Sequence, residues 1–171
     1  MKIQNIGRSG LEFLSRAFLI VGFLSISAIS QNAFAASAPS SSSVSGGSSD
    51  DMRTKANVYF KRGEYYQNQK NYKLAEQQYR QAVKIDSSYA EAYSNLGFSL
   101  RKQGAYDEAV KHYKKAIELN NRLTQAHEYL GEAYAEMGAF SLAEQELAIL
   151  RDLNSDEADE LSEFIMQKKR G

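Results

Sequence analysis

The chain contains no cysteine and no tryptophan, and its single proline, Pro39, lies in the N-terminal quarter. Without cysteine it has no disulfide, no thiol nucleophile and no site for lipid attachment through a cysteine. Because Pro39 precedes residue 51, no proline interrupts a helix between residues 51 and 171. Side-chain packing alone must therefore stabilise the folded part of the chain.

An excess of either charge is also missing, since 21 Lys and Arg residues balance 21 Asp and Glu residues. Leaving out residues 1–35 changes the balance to 18 against 20, a net charge of −2. A chain that binds nucleic acid or anionic lipid through charge carries a clear basic excess. The composition therefore predicts neither kind of partner.

The first 35 residues have the features of a secretory signal. Lys2, Arg8 and Arg16 precede or flank an uncharged, mostly apolar run over residues 17–29, and Ala33-Phe34-Ala35 places small residues before a cut. We expect cleavage after Ala35 and a periplasmic or secreted protein. The alternative is a retained membrane anchor, although the apolar run is short for a span that needs about 20 residues.

Residues 36–50 are mainly Ser, Gly and Ala and predict a disordered linker. The folded domain is then expected over residues 51–170.

After the linker, one pattern of small and apolar residues occurs three times, with a constant offset of 34 residues. The offset relates Gly63, Gly97 and Gly131, and it also relates Ala75, Ala109 and Ala143. Such a period indicates stacked supersecondary units that bury their apolar faces against one another. The units span residues 56–89, 90–123 and 124–157.

The residue pattern within each unit predicts two helices that are joined by a tight turn. Apolar residues recur at helical spacing, and Gly104 and Gly138 mark the break because glycine readily closes a helix in the left-handed conformation. Lys70 takes this place in the first unit. Small residues such as Gly97 and Ala109 allow the two helices to approach closely, and large aromatic residues fill the remaining space.

The motifs Leu96-Gly97 and Leu130-Gly131-x-x-Tyr134, together with Ala109-x-x-x-Tyr113, resemble the tetratricopeptide repeat (TPR). The resemblance implies an all-α, right-handed superhelical solenoid of three helix-turn-helix units. This sequence departs from the family pattern at the tryptophan, the proline and one leucine of the motif. The residues at these places are Tyr59, Tyr93 and His127; Ser87, Asn121 and Ser155; and Arg62. We expect Ser87, Asn121 and Ser155 to act as helix N-caps.

A last helix over residues 156–169 is expected to cap the stack. Leu161, Phe164 and Ile165 form one apolar stripe, and Ser155 is a candidate N-cap. The acidic first turn and basic last turn suit the helix dipole.

The sequence shows no constellation for catalysis or metal binding. His127-Glu128 begins like a zinc-protease motif, but Gly131 stands where the second histidine is required. His127 is expected in the core and His112 on an exposed outer surface. We therefore expect no enzyme activity, no cofactor and no metal.

The resemblance implies that a stripe on the first helix of each unit lines a concave groove for an extended or helical peptide. The predicted groove residues are Asn57, Phe60, Glu64, Asn68, Glu91, Ser94, Phe98, Arg101, Lys102, Gln125, Glu128, Glu132 and Glu136.

Two interpretations of this stripe stay open. Phe60 and Phe98 either pack in the seams between repeats or anchor an apolar side chain of a partner. Glu128, Glu132 and Glu136 either form a solvated face or hold basic side chains of a partner. Because its charge is expected to be exposed, Glu132→Lys is expected to leave folding nearly intact. Arg101 and Lys102 are expected to neutralise part of the glutamate charge.

Chaperone-tail binding is not predicted. In the chaperone-adaptor members of the family, cationic groups hold a C-terminal carboxylate, whereas here Phe60, Glu64, Gln125 and Tyr129 occupy the corresponding places. The function expected is an exported interaction module, or adaptor, of the bacterial cell envelope that binds a protein or peptide. The alternative is a structural protein that assembles with copies of itself.

Overall fold

The computed structural model describes residues 48–171. The expected signal segment and all but the last three residues of the expected linker lie outside the described residues. The linker was predicted to extend to residue 50, but helix α1 already begins at Ser49. Ser48 is its N-cap, and the Ser48 side chain accepts a hydrogen bond from the Asp50 backbone N–H.

Seven α-helices make up the described residues, and they contain no strand. The helices are α1 (Ser49–Asn68), α2 (Tyr72–Ile85), α3 (Ala90–Arg101), α4 (Tyr106–Leu119), α5 (Thr124–Glu136), α6 (Phe140–Asp152) and α7 (Glu157–Arg170).

The helices pack as three antiparallel hairpins in chain order. Helices α1 and α2, α3 and α4, and α5 and α6 form the hairpins, and the second helix of each hairpin contacts the first helix of the next. Helix α7 packs on both α5 and α6. The fold is therefore the all-α repeat solenoid with a capping helix that the sequence predicts.

The turns within the hairpins are closed by residues in the left-handed conformation. Gly104 and Gly138 have φ angles of 81° and 75°, and Lys70 has a φ angle of 58°. A lysine pays a steric cost in this conformation that glycine does not. The first hairpin therefore has the more strained turn.

The N-cap predictions for the later helices are wrong. Helices α3 and α5 begin after Tyr89 and Leu123, and α7 begins after Asp156, without a side-chain cap. The turns between hairpins are instead stabilised by the residues just before Ser87 and Asn121. Asp86 Oδ1 accepts a hydrogen bond from the Ser88 N–H, and Asn120 Oδ1 accepts one from the Arg122 N–H. Asp and Asn side chains favour this turn because they bond to the backbone two residues on.

Close contact at the repeat glycines explains how each hairpin packs. A Cβ atom at Gly97 would lie 2.7 Å from the Tyr113 ring, and Gly63 faces Tyr79 in the same way. Tyr79 and Tyr113 are fully buried. Gly131 differs, because its neighbour is Leu161 of α7 rather than a residue of α6. The capping helix therefore fills the space that an aromatic ring fills in the first two hairpins.

Among the described residues no helix is both long and apolar enough to cross a membrane.

Candidate functional site

The predicted groove residues lie on the first helices of the three hairpins, α1, α3 and α5. Helix α3 contacts α5, and α5 contacts α7, so these three helices form one layer, which α1 extends through the contact of Phe60 with Tyr89 at the start of α3. We call the exposed side of this layer the first-helix surface. Of the predicted set, it exposes fully or in part Asn57, Glu64, Asn68, Glu91, Phe98, Lys102, Gln125, Glu128, Glu132 and Glu136.

Three predicted groove residues are instead buried: Phe60, Ser94 and Arg101. The Phe60 ring stacks on Tyr89 with centroids 4.9 Å apart and also contacts Tyr79. Tyr89 immediately precedes α3, so Phe60 fills the seam between the first and second repeats. These three side chains support the surface rather than offer themselves to a ligand.

Phe98 lies half-buried in the next seam. Its ring centroid is 4.9 Å from that of Tyr129 on α5 and 6.1 Å from that of Tyr72 on α2. Lys102 reaches over the other part of the ring, with Nζ 5.1 Å from the centroid. Phe98 therefore packs in a seam, as the first interpretation of the sequence expects, and its ring is also partly exposed at the surface.

Arg101 is the buried cation of the site, with only 3% of its surface exposed. Its guanidinium forms ion pairs with Glu132 and, at 3.0 Å, with Glu136. Buried ion pairs persist only when the desolvated charges meet partners in good geometry. Two of the three glutamates that follow one another on α5 are therefore already neutralised by the chain itself.

This pairing corrects the expectation that Glu132→Lys leaves folding intact. Glu132 is mostly buried, and burial raises its pKa even though Arg101 and Lys102 lower it. A lysine at this position would face the buried guanidinium of Arg101, and like charges in a low-dielectric setting repel strongly. We therefore expect Glu132→Lys to unfold the α3–α5 contact, so this substitution is unsuitable as a test of binding.

Glu128 is the carboxylate that the chain leaves without a strong counter-charge. Its pKa is raised to about 7, first by burial and then by the charges of Glu132, Glu160 and Glu157, and Arg101 opposes this only in part. Each negative neighbour makes ionisation of Glu128 more costly. A cation placed beside Glu128 would lower its pKa and be held by it.

Sequence reasoning missed two residues of this cluster, Glu157 and Glu160 of α7. Glu157 accepts a hydrogen bond from the Thr124 hydroxyl at 2.9 Å, whereas Glu160 is exposed. The sequence does place both residues on the capping helix, but only the packing of α7 against α5 brings them close to Glu128. We call Glu128, Glu157 and Glu160 the acidic end of the first-helix surface.

Tyr129, which was singled out only as an exception to the chaperone-adaptor pattern, lies between the acidic end and Phe98. Gln125 Nε2 donates to its hydroxyl at 3.3 Å, and its ring contacts Phe98 and Tyr113. Burial raises the pKa of Tyr129, with a further increase from Glu128. The phenol is therefore a neutral, half-buried platform next to the acidic end.

The opposite end of the surface is neutral or self-paired. Asn57 Oδ1 accepts from the Tyr89 hydroxyl at 3.2 Å, and Glu64 pairs with Lys61 at 2.8 Å on the same exposed helix face. Asn68 is exposed, and Glu91 is half-exposed. The electrostatic asymmetry of the surface therefore lies at α5 and α7.

Both histidines serve the packing of hairpins. His127 is buried as expected, and its ring nitrogens lie 2.7 Å from Glu146 Oε2 and 3.1 Å from the Asn121 carbonyl oxygen. His112 was expected to be exposed, but it is largely buried and stacks on Tyr93 with centroids 6.0 Å apart. Among residues 48–171, no three His, Asp or Glu side chains are placed so that they could hold a metal ion together.

Comparison with known proteins identifies the repeats. Residues 90–122 match the family model described as tetratricopeptide repeat, and residues 56–104 match the model described as TPR repeat. No curated protein sequence gives a significant match.

Solved TPR structures resemble the chain over most of the described residues. One is the first TPR of Spaghetti (RPAP3) bound to the HSP90 peptide SRMEEVD, with 23% identity, a TM-score of 0.62 and coverage of 70% of this chain and 96% of that chain. Another is the TPR2B-domain:pHsp70 complex of yeast Sti1, with 21% identity, a TM-score of 0.62 and coverage of 70% and 98%.

A third, the Arabidopsis OM64 TPR domain, has 17% identity, a TM-score of 0.62 and coverage of 68% and 98%. At these identities the likeness establishes the fold. The described residues therefore have the all-α repeat-solenoid fold of these TPR domains, with the match to TPR models over residues 56–122, and the binding chemistry has to be argued from the chain's own residues.

Proposed function

We propose that this TPR solenoid is an interaction module whose first-helix surface binds a polypeptide carrying basic and apolar side chains. The observation that carries the proposal is the acidic end, where Glu128, Glu157 and Glu160 meet without a cation of their own. Arg101, the cation that lowers the pKa of Glu128, is already shared between Glu132 and Glu136. A Lys or Arg of a partner supplies the missing charge.

The neighbouring aromatic residues supply the apolar half of the interaction. Tyr129 and the exposed edge of Phe98 lie next to each other and are rigidly held by their seam contacts. Aromatic side chains that are fixed in this way bind a partner at a low cost in conformational entropy. A segment with a basic residue and an apolar residue one or two positions away fits both features.

The chemistry of the surface argues against an acidic partner. The RPAP3 repeat named above is bound to a peptide with two adjacent glutamates, whereas an acidic peptide would here meet Glu128 and Glu160. Like charges that are brought together at an interface cost several kcal/mol. The partner is therefore expected to differ from the peptides bound by these structural neighbours.

A direct test uses two synthetic peptides of equal length, one alternating Lys with Leu and the other alternating Glu with Leu. Fluorescence anisotropy should show binding of the lysine peptide alone, with a dissociation constant that increases with salt. Glu128→Gln and Glu160→Gln should each weaken binding about 5- to 10-fold, because each removes roughly 1 kcal/mol of charge interaction.

The matched control is Asp107→Asn, an exposed carboxylate in the first turn of α4. It removes one negative charge from α4, which lies outside the first-helix surface, and should leave the dissociation constant of the lysine peptide unchanged. Equal binding of both peptides, or an equal effect of all three substitutions, would show that the acidic end does not select the partner.

We also propose that the module acts after export, in the bacterial periplasm or outside the cell. The support is the basic segment, apolar run and Ala33-Phe34-Ala35 of the first 35 residues. Mass spectrometry of the protein from its native cells should find a chain that starts at Ala36. An intact N-terminus in the membrane fraction would instead indicate a retained anchor.

A further inference from the structure

Helix α1 carries an exposed apolar and basic stripe at the N-terminal end of the stack. Val58, Arg62 and Tyr65 lie at i, i+4 and i+7 and therefore share one face of the helix. Val58 is 51% exposed and Tyr65 is 60% exposed, which is high for large side chains of this kind. We call these three residues the α1 ridge.

The same face is completely buried in the other two first helices. The residues one and two repeat lengths further on are Ala92, Leu96 and Ser99 in α3, and Ala126, Leu130 and Ala133 in α5, all at most 2% exposed. Helix α2 packs on α3 and α4 packs on α5, whereas no helix of residues 48–171 precedes α1 in the stack. The α1 ridge thus corresponds to the face that the second and third repeats bury against other helices of the stack.

The charge of the ridge limits what can cover it. Arg62 lies at its centre and Lys55 and Lys61 flank it, and each of these side chains is exposed. Lys55 and Lys61 pair only with residues of their own helix, Asp51 and Glu64. Two α1 ridges placed face to face would bring Arg62 close to the cations of the other copy, so that arrangement is unfavourable.

The outward face of α7 has the complementary pattern at the other end of the stack. Leu161 and Ile165 bury the inner face, and Asp159, Glu163 and Met166 lie exposed on the opposite face. These three residues also lie at i, i+4 and i+7, and Met166 is 47% exposed. The face presents two carboxylates and a flexible thioether at the spacing of Val58, Arg62 and Tyr65, and the exposed Arg170 lies on it one turn beyond Met166, so the face as a whole carries a net negative charge.

We propose that the α1 ridge of one copy docks on the outward face of α7 of a second copy, so that the chains stack head to tail. Arg62 then lies opposite Glu163, and Tyr65 lies opposite Met166, whose sulfur packs well on aromatic rings. Such an interface uses a different surface on each partner, so it extends into open chains rather than closing as a dimer. This assembly is separate from the first-helix surface and goes beyond the peptide binding proposed for it.

Sedimentation velocity of the full chain over a range of concentrations tests the proposal. The average mass should rise with concentration, and the rise should be smaller at high salt. Arg62→Glu and Glu163→Arg should each raise the dissociation constant at least about 10-fold, because each brings like charges together. Both positions are exposed, so folding should be retained, and the melting temperature checks this.

Mixing the two variants gives the sharpest result. The Glu163→Arg protein keeps the native α1 ridge and the Arg62→Glu protein keeps the native α7 face, so an equimolar mixture should associate although each variant alone does not. Lys111→Glu and Asp107→Arg, two exposed reversals on α4, are the matched controls and should associate like the unaltered chain.

Three results would overturn the proposal. They are a constant monomer mass at every concentration, an association that Arg62→Glu and Glu163→Arg leave unchanged, and a mixture of these variants that stays monomeric. The first of these would leave binding of the lysine peptide untouched, so the two proposals fail independently.

Discussion

At the scale of single residues, Arg101 decides the character of the first-helix surface. Its position at the C-terminal end of α3 places a buried guanidinium between Glu132 and Glu136 of the next repeat. It thereby neutralises a run of like charges that would otherwise repel along α5. The same pairing leaves Glu128 as the free carboxylate of that helix.

Replacing Arg101 by methionine should destabilise the fold by about 3 kcal/mol, since it leaves two half-buried carboxylates without their partner. Urea unfolding measures the loss, and Lys102→Met, an exposed neighbour, is the control that should stay within about 0.5 kcal/mol. Adding Glu132→Gln and Glu136→Gln to Arg101→Met should recover part of the stability. Equal midpoints for Arg101→Met and Lys102→Met would show that the ion pairs contribute nothing.

His127 should make stability depend on pH near neutrality. The hydrogen bond to Glu146 raises its pKa, and only the charged imidazole can donate to both Glu146 and the Asn121 carbonyl. Its contribution is therefore fully present below the unfolded pKa of about 6.5 and is lost as the pH rises through the higher folded value.

His127→Gln should lower the free energy of unfolding by about 1.5 kcal/mol more at pH 5.5 than at pH 9, the lower range for a hydrogen bond to a charged group. Denaturant titrations at both pH values measure the difference. Glu128 titrates in the same range but is present in both proteins, so its effect cancels. A loss that is independent of pH would mean that His127 is neutral in the folded chain.

At the scale of helices, α7 supplies the side chain that takes the place of a repeat aromatic ring in the third hairpin. Leu161 fills the space over Gly131 that Tyr79 and Tyr113 fill over Gly63 and Gly97. The last repeat of a solenoid needs a cover that is apolar on one side and polar on the other. Helix α7 meets this need with Leu161 and Ile165 inside and carboxylates outside.

Leu161→Ala should cost about 3 kcal/mol because it opens a cavity beside Gly131. Adding Gly131→Ala should restore part of the loss, since its methyl group enters the vacated space, whereas Gly131→Ala alone should clash with Leu161 and destabilise the fold. Thermal unfolding of the two single variants and the double variant measures the coupling free energy between positions 131 and 161, and the exposed Gln167→Ala is the control. Additive effects of the two substitutions would contradict the contact between α7 and Gly131.

At the scale of the whole molecule, burial is concentrated in the middle of the stack. Helix α3 buries nine of its 12 residues because repeats pack on both of its sides, whereas α1 buries three of 20. In a solenoid each unit is stabilised only by its neighbours, so local stability falls toward the ends.

Amide hydrogen exchange should therefore be slowest in α3 and fastest in residues 49–55, where every residue is exposed. Mass spectrometry of peptic fragments measures the gradient along the chain. Because head-to-tail stacking would cover the α1 ridge, protection of residues 56–66 should increase with protein concentration, while that of α3 should not. A uniform rate along the stack would indicate that the domain opens only as a whole.

The sequence by itself determined the repeat period, the hairpins, their left-handed turns and the capping helix, since these depend on the spacing of apolar and small residues within one unit. It also indicated that charge would accumulate on α5. Only the tertiary structure decided which carboxylates stay free. Arg101 pairs with Glu132 and Glu136, which follow it by 31 and 35 residues. Neither separation equals the repeat length of 34, so the repeat pattern does not predict these pairs.

The buried state of Phe60 and Ser94, the proximity of Glu157 and Glu160 to Glu128, and the exposed α1 ridge have the same origin. A repeat pattern specifies what each unit buries within itself, but contacts between units depend on the stagger and rotation of neighbouring helices, which packing fixes only when the whole stack is assembled.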